Sequence, residues 1–369
     1  MLAAIKDFFY RHRRKLITTG VLLGGGLFLI KLIQYKLREF QERQAREIAE
    51  RFKRMKHFES TERTCNQTIV GLSENVSEKA LRDLSTADIL EKLRSNPDNK
   101  FELWEELKIL AFAKIVTLVY ASSMLALTLK TQINLLGGYM YKDTVPRDTQ
   151  TTYLSMIQYF MGEGLDKLMD VVRNNVTIVM QRYSLKQPLT LADTETLFWS
   201  IQMSLNNDEL NPVKCLAKFT LPQDGLQGDG NSDLTLRKMC DETLDVLESA
   251  EATDVCLSNV SSGFSSIVDK LAEYYAEAEA TQLAPSTSKS ALNVDCLSNI
   301  NNIKISLAKL IPIVNGLTAK PLGKSAATNG LQNGFEKQRN DMMSSLIVRF
   351  MQSEKLKTLG INVYETFCA

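Results

Sequence analysis

Apolar residues recur along this chain with the period of a helix almost throughout. Tyr153, Met156, Ile157, Phe160 and Met161 fall at i, i+3, i+4, i+7 and i+8, and Phe264, Ile267, Val268, Leu271, Tyr274 and Tyr275 do much the same. Strand-like alternation is hard to find. Ser85-Thr86-Ala87-Asp88 predicts a capping-box-like start for a short helix, and Asn96-Pro97-Asp98-Asn99 stops it before another begins near Phe101. That next helix is the most apolar in the body. Its stretch 115–129 resembles a membrane span, but it is short, flanked by Lys114 and Lys130 and interrupted by Ser122 and Ser123. A central buried helix is therefore expected. Gly137-Gly138 marks a break or a point of close contact. Turn-forming composition predicts loops at 142–152, 221–233, 278–293 and 320–334, and no fixed repeat stands out. The expected fold class is all-α, a single elongated helical bundle on an N-terminal membrane-anchored helical stalk.

The N-terminal pattern differs from the rest. Residues 16–30 carry no charge and lie between a basic cluster at 11–15 and Lys31, with Leu32, Ile33 and Tyr35 extending the apolar run. A bilayer core needs about 20 apolar residues, so a span over 16–35 requires Lys31 to reach its ammonium to the interface. No small-residue cleavage motif follows. The chain instead enters a mixture of acids and bases at helical spacing, which favours an uncleaved anchor over a signal peptide. The expected organisation is a basic arm at 1–15, a transmembrane anchor at 16–35, a charged helical stalk at 36–56 and a helical partner-binding domain at 57–369. Both flanks of the anchor are basic and set no orientation. A large domain with unpaired cysteines suits the cytosol.

Charge and chemistry narrow the function. The formal net charge is +1, but residues 1–56 carry about +9, so the body is mildly acidic. A dedicated nucleic-acid binder would show a basic face instead. Six scattered cysteines lack metal-site spacing, and the two histidines, His12 and His57, lie in the basic N-terminal region. No phosphate loop, nucleophile elbow or zinc-protease motif occurs, and neighbouring acids such as Glu105 and Glu106 point in different directions on a helix. No enzyme, cofactor or metal site is expected. Trp104, with Leu107 and Lys100 nearby in the first turns of a helix, has the composition of a groove floor with a charged rim, although tryptophans on helices more often belong to the core. Trp199 is assigned to the core on that ground.

Several segments together carry a family resemblance. They are His57-Phe58-Glu59-Ser60 with Arg63-Thr64-Cys65-Asn66, then NKFELWEELKI, INLLGGYMY, DETLDVLES, GFSSIVDKLAEYY, LAKLIPIVNG and Asn362-Val363-Tyr364-Glu365. In order and spacing the chain resembles the peroxin-3 family along nearly its whole length. The resemblance implies a single-pass protein of the peroxisomal membrane with its bulk in the cytosol. It implies a non-enzymatic docking receptor for the import chaperone peroxin-19, whose N-terminal amphipathic helix enters a hydrophobic groove and brings cargo membrane proteins to the lipid surface. On that analogy Trp104 is the central contact, with Leu93, Lys100 and Leu107 beside it. Asn134 and Gly138 support the same surface, and Lys309 approaches from a later helix. The loops at 221–233 and 320–334 depart most from the family. An organelle tether or inheritance adaptor acting through them is the alternative.

Overall fold

The computed structural model describes residues 2–95, 97–142, 145–222, 234–283, 303–318 and 342–368, and among their side chains omits those of 2–30, 32 and 279–283. In order, the elements are α1 (Leu2–Asp83), α2 (Ala87–Arg94), α3 (Lys100–Lys142), α4 (Arg147–Ser155), α5 (Ile157–Tyr159), a π-helical turn (Phe160–Gly164) and α6 (Leu165–Met180). Then come β1 (Pro188–Leu189), α7 (Leu191–Asn206), α8 (Leu216–Thr220), α9 (Leu234–Leu247), α10 (Ala250–Leu283), β2 (Ile305–Ser306), α11 (Leu307–Leu317), α12 (Met342–Met351) and α13 (Glu354–Cys368). The fold is all-α. Among the described residues the single sheet pairs Pro188 with Ser306 and Leu189 with Ile305.

Backbone contacts divide the chain into two units, Met1–Glu59 and Ser60–Ala369. The described side chains of the first unit are those of a solvated helix. Lys36–Glu39, Arg38–Glu42 and Arg43–Glu39 pair one turn apart. Ile33, Leu37, Phe40, Ile48, Phe52 and Met55 are exposed and share one side of the helix, as their spacing of three, four or eight requires. The anchor expected at 16–35 falls mostly on side chains outside the described ones.

The second unit is built around α3. Its most apolar window has a mean hydropathy of 1.8, enough for a membrane span, yet 94% of that window is buried inside the fold. A helix apolar on every side needs neighbours on every side. α3 has them in α2, α6, α9, α10, α11, α12 and α13. The buried face of α1 packs into the same core through Cys65, Ile69, Val76 and Ala80, at spacings of one or two turns, and Leu84 continues it just past the helix end. Helix approach is closest at glycine. A methyl on Gly263 of α10 would lie 2.7 Å from Val119 Cγ1, and one on Gly164 only 1.8 Å from the Phe219 carbonyl oxygen.

Two local expectations change. The 142–152 loop is shorter than composition suggests, because Pro146, with its pre-set φ of −54°, precedes the first turn of α4. The apolar series through Tyr153 and Phe160 is not one regular helix. α4, α5 and the π turn divide it, and Gly162 leaves helical geometry at φ −101°, ψ −105°. The expected loops at 221–233, 278–293 and 320–334 lie largely outside the described residues, although α10 continues helically to Leu283.

Candidate functional site at the amino end of α3

α2 and α3 form a hairpin joined by residues 95–99. Leu93, in the last turn of α2, and Trp104, in the second turn of α3, are both half-buried and rest on the core. Lys100 lies one turn before Trp104 on the same side of the helix and is exposed. Leu107 follows one turn later. It is only 1% exposed, so it supports Trp104 from below and adds little surface.

Polar ties fix the walls of this region. Lys108, also 1% exposed, pairs with Glu105 at 2.6 Å and donates to the main-chain carbonyls of Met180 and Tyr183 at 3.1 and 3.0 Å. Two residues beyond Tyr183, the Leu185 carbonyl accepts the Ala308 N–H at 2.9 Å, and the Gln187 carbonyl accepts that of Leu307. These bonds seat the start of α11, and with it exposed Lys309, toward the same end of α3 as Lys108 and Trp104. Further along, Lys114 donates to Asn315 Oδ1 at 2.9 Å, so α11 runs beside α3 in the same direction.

The capping-box-like start expected over Ser85-Thr86-Ala87-Asp88 forms only in part, with Ser85 Oγ accepting the Ala87 N–H at 3.3 Å. Thr86 occupies the N-cap position of α2 but makes no side-chain cap bond. Its hydroxyl donates instead to Asn315 Oδ1 at 3.0 Å and receives the Lys114 ammonium at 3.4 Å. A complete capping box does occur at α7, where Thr190 and Asp193 exchange bonds of 3.1 and 2.9 Å.

Leu93, Lys100, Trp104 and Lys309 therefore belong to one end of the α3 bundle. Asn134 and Gly138 do not. Asn134 lies 30 residues beyond Trp104 on one continuous helix, a separation of about 45 Å at 1.5 Å per residue. Asn134 is fully buried and donates to the Lys130 carbonyl at 2.9 Å. A methyl on Gly138 would meet Phe367 Cβ at 2.9 Å, so this glycine exists to admit α13. Both residues serve the α3–α13 packing, and the expectation that they support the Trp104 surface is corrected.

Trp199 is a second correction. It is 60% exposed. Its neighbour Phe198 takes the core place, with ring centroids 5.5 Å from Phe112 and 5.8 Å from Phe264. Trp199 and Met203 of α7 line a surface groove of about 310 Å³ with Phe264 and Val268 of α10. The signal was in the sequence: Thr194, Leu197, Phe198, Ile201 and Leu205 complete a core face that leaves Trp199 one position off it.

No group of three metal-ligating side chains occurs among the described residues, and Cys65, Cys215, Cys240, Cys256 and Cys368 are free thiols. Cys296 lies outside the described residues.

These features define an all-helical scaffold packed around a buried central helix, with Trp104 half-buried near one end of that helix. The family model described as Peroxin-3 matches residues 7–99, 94–147 and 139–364, and the chain belongs to that family. It is similar to peroxisomal biogenesis factor 3 of Mus musculus, 30% identical with 100% of this chain and 98% of the relative covered. The Homo sapiens factor of the same name is 31% identical over the same shares. Peroxisome biogenesis protein 3-1 of Arabidopsis thaliana is 26% identical over 68% of this chain and 78% of its own length. The family is one of peroxisome biogenesis factors.

Proposed function

We propose that this chain is a docking receptor of the peroxisomal membrane, anchored through residues 16–35 with its helical domain in the cytosol. Its partner is peroxin-19, whose N-terminal amphipathic helix binds across α2, α3 and α11, and whose membrane-protein cargo is thereby brought to the bilayer. The observation that carries this is that half-buried Leu93 and Trp104 and exposed Lys100 lie where α2 meets α3, while α11, which carries exposed Lys309, is bonded to the segment that Lys108 of α3 holds. Apolar side chains half-covered by their own fold have area left for a partner to bury, and an indole held by core packing loses little entropy on binding. The lysines form a rim whose pull is screened by salt.

The test uses the full-length protein in detergent micelles and a synthetic peptide of the chaperone's N-terminal helix. Trp104→Ala is expected to weaken binding by about 2 kcal/mol or more, roughly thirtyfold, with its helical circular dichroism unchanged. Equal affinity of variant and wild type would reject the site.

A further inference from the structure

Lys114 is a buried amine that the docking surface does not touch. It is 6% exposed, and its ammonium donates to neutral oxygens, Asn315 Oδ1 and Thr86 Oγ1. An ammonium is costly to bury among neutral groups, and an apolar side chain of similar volume would fill the same space without that penalty. Thr86 gives up something as well, since its hydroxyl is diverted from the N-terminal N–H groups of α2. Two local sacrifices therefore meet at one point. What they secure is a junction of three elements: the entry to α2, the fourth to fifth turn of α3 and the last turn of α11. Those elements carry Leu93, Trp104 and Lys309.

We infer that Lys114 is a positioning residue for the docking surface, holding α2 and α11 on α3 through Thr86 and Asn315 so that the surface is formed before the partner arrives. This rests on the docking function proposed above. The geometry favours a role in alignment over one in simple cohesion. The large apolar contacts of α3 already hold the body together, whereas α2 has only eight residues, a single buried side chain in Ile89 and no cap from Thr86, only a 3.3 Å bond from the Ala87 N–H to Ser85 Oγ. A helix that short does not fix its own direction in water. Pre-organisation raises affinity by reducing the ordering needed on binding.

The experiment compares the full-length wild type with Lys114→Met, Lys114→Arg and Thr86→Val, using the same peptide. Lys114→Met is expected to bind about tenfold more weakly, and Lys114→Arg, which keeps the donor, to stay within about threefold of wild type. Hydrogen exchange should quicken in α2 and α11 of Lys114→Met while α10 keeps its protection, a local change that a general loss of stability would not give. Wild-type affinity in Lys114→Met overturns the inference, as does faster exchange spread evenly over all helices. If Lys114→Met fails to fold, Thr86→Val carries the test: weaker binding with quicker α2 exchange supports the inference, and unchanged binding overturns it. Failure of the wild type itself to bind the peptide rejects the docking function, while local quickening of α2 would still show the tie.

Discussion

Lys108 spans from α3 to the end of α6, its ammonium donating to the Met180 carbonyl across 3.1 Å. The last carbonyls of a helix have no partner within it and carry the negative end of its dipole, so a buried cation at that place satisfies both needs. Glu105, one turn back on α3, balances the charge at 2.6 Å. Lys108→Met keeps the stem's bulk and removes the donor. It is expected to destabilise the fold by about 2 kcal/mol, because the carbonyls of Met180 and Tyr183 lose a charged partner. Urea unfolding of the two proteins measures this, and coincident midpoints would show that the tie contributes nothing.

Lys114 makes stability depend on pH. Burial pushes its amine down from 10.5 to about 8. The unfolded chain titrates near the higher value, so between the two it holds more protons than the native state and stability rises with pH. Below pH 8 the penalty applies in full, on the order of 3 kcal/mol, and above 10.5 it is gone. Comparison with Lys114→Met isolates this group from the tyrosines and thiols common to both proteins. From pH 7.5 to 9.5 the wild type should gain about 2 kcal/mol relative to the variant. A constant difference across that range would mean that Lys114 is not desolvated.

Much of the fold was legible because helical periodicity and burial come from the same residues. The apolar run at 115–129 identified α3 as the central helix, and the lysines that flank it and the serines inside it argued against lipid. The structure then gives those polar groups protein partners, as when Ser122 donates to the Leu118 carbonyl at 2.6 Å. Tertiary choices were not legible. Thr86 has the right residue type and position for a cap, but nothing local reveals that Lys114 and Asn315, 28 and 229 residues away, claim its hydroxyl. At the site, Trp104 and Lys100 could be placed on one face by spacing alone. The separation of Asn134 from them follows only once α3 is seen to run unbroken through Gly137 and Gly138. Glycine pairs suggest either a break or a close contact, and here close contact won, Gly137 against Thr61 of α1 and Gly138 against Phe367 of α13.

The free thiols should differ widely in reactivity. Cys65 is buried, and desolvation pushes its thiol up to about 12; Cys256, also buried, is pushed up to about 11 for the same reason. Cys215 is only half-buried. The thiolate is the nucleophile, so native alkylation with iodoacetamide at pH 8 should modify Cys215 at least about a hundredfold faster than Cys65 or Cys256. Peptide mass spectrometry over a time course reads the order directly. Early labelling of Cys65 would mean that the contact between α1 and α3, where its thiol faces the Leu129 carbonyl at 3.7 Å, opens readily.

The two residues Phe198 and Trp199 should separate sharply on substitution, though both are large, aromatic and adjacent on α7. Phe198 is enclosed between Phe112 and Phe264, and its removal leaves a cavity that those rings cannot fill. Phe198→Ala is expected to cost about 3 kcal/mol or more. Trp199 keeps most of its area in water, so Trp199→Ser should change stability by less than about 0.5 kcal/mol. Fluorescence offers an independent check, because the chain has only two tryptophans. In a Trp104→Phe background the remaining emission comes from Trp199 and should be red-shifted and readily quenched by acrylamide. A blue-shifted, protected signal together with a large loss of stability in Trp199→Ser would return this indole to the core and exchange the places assigned to these two neighbours.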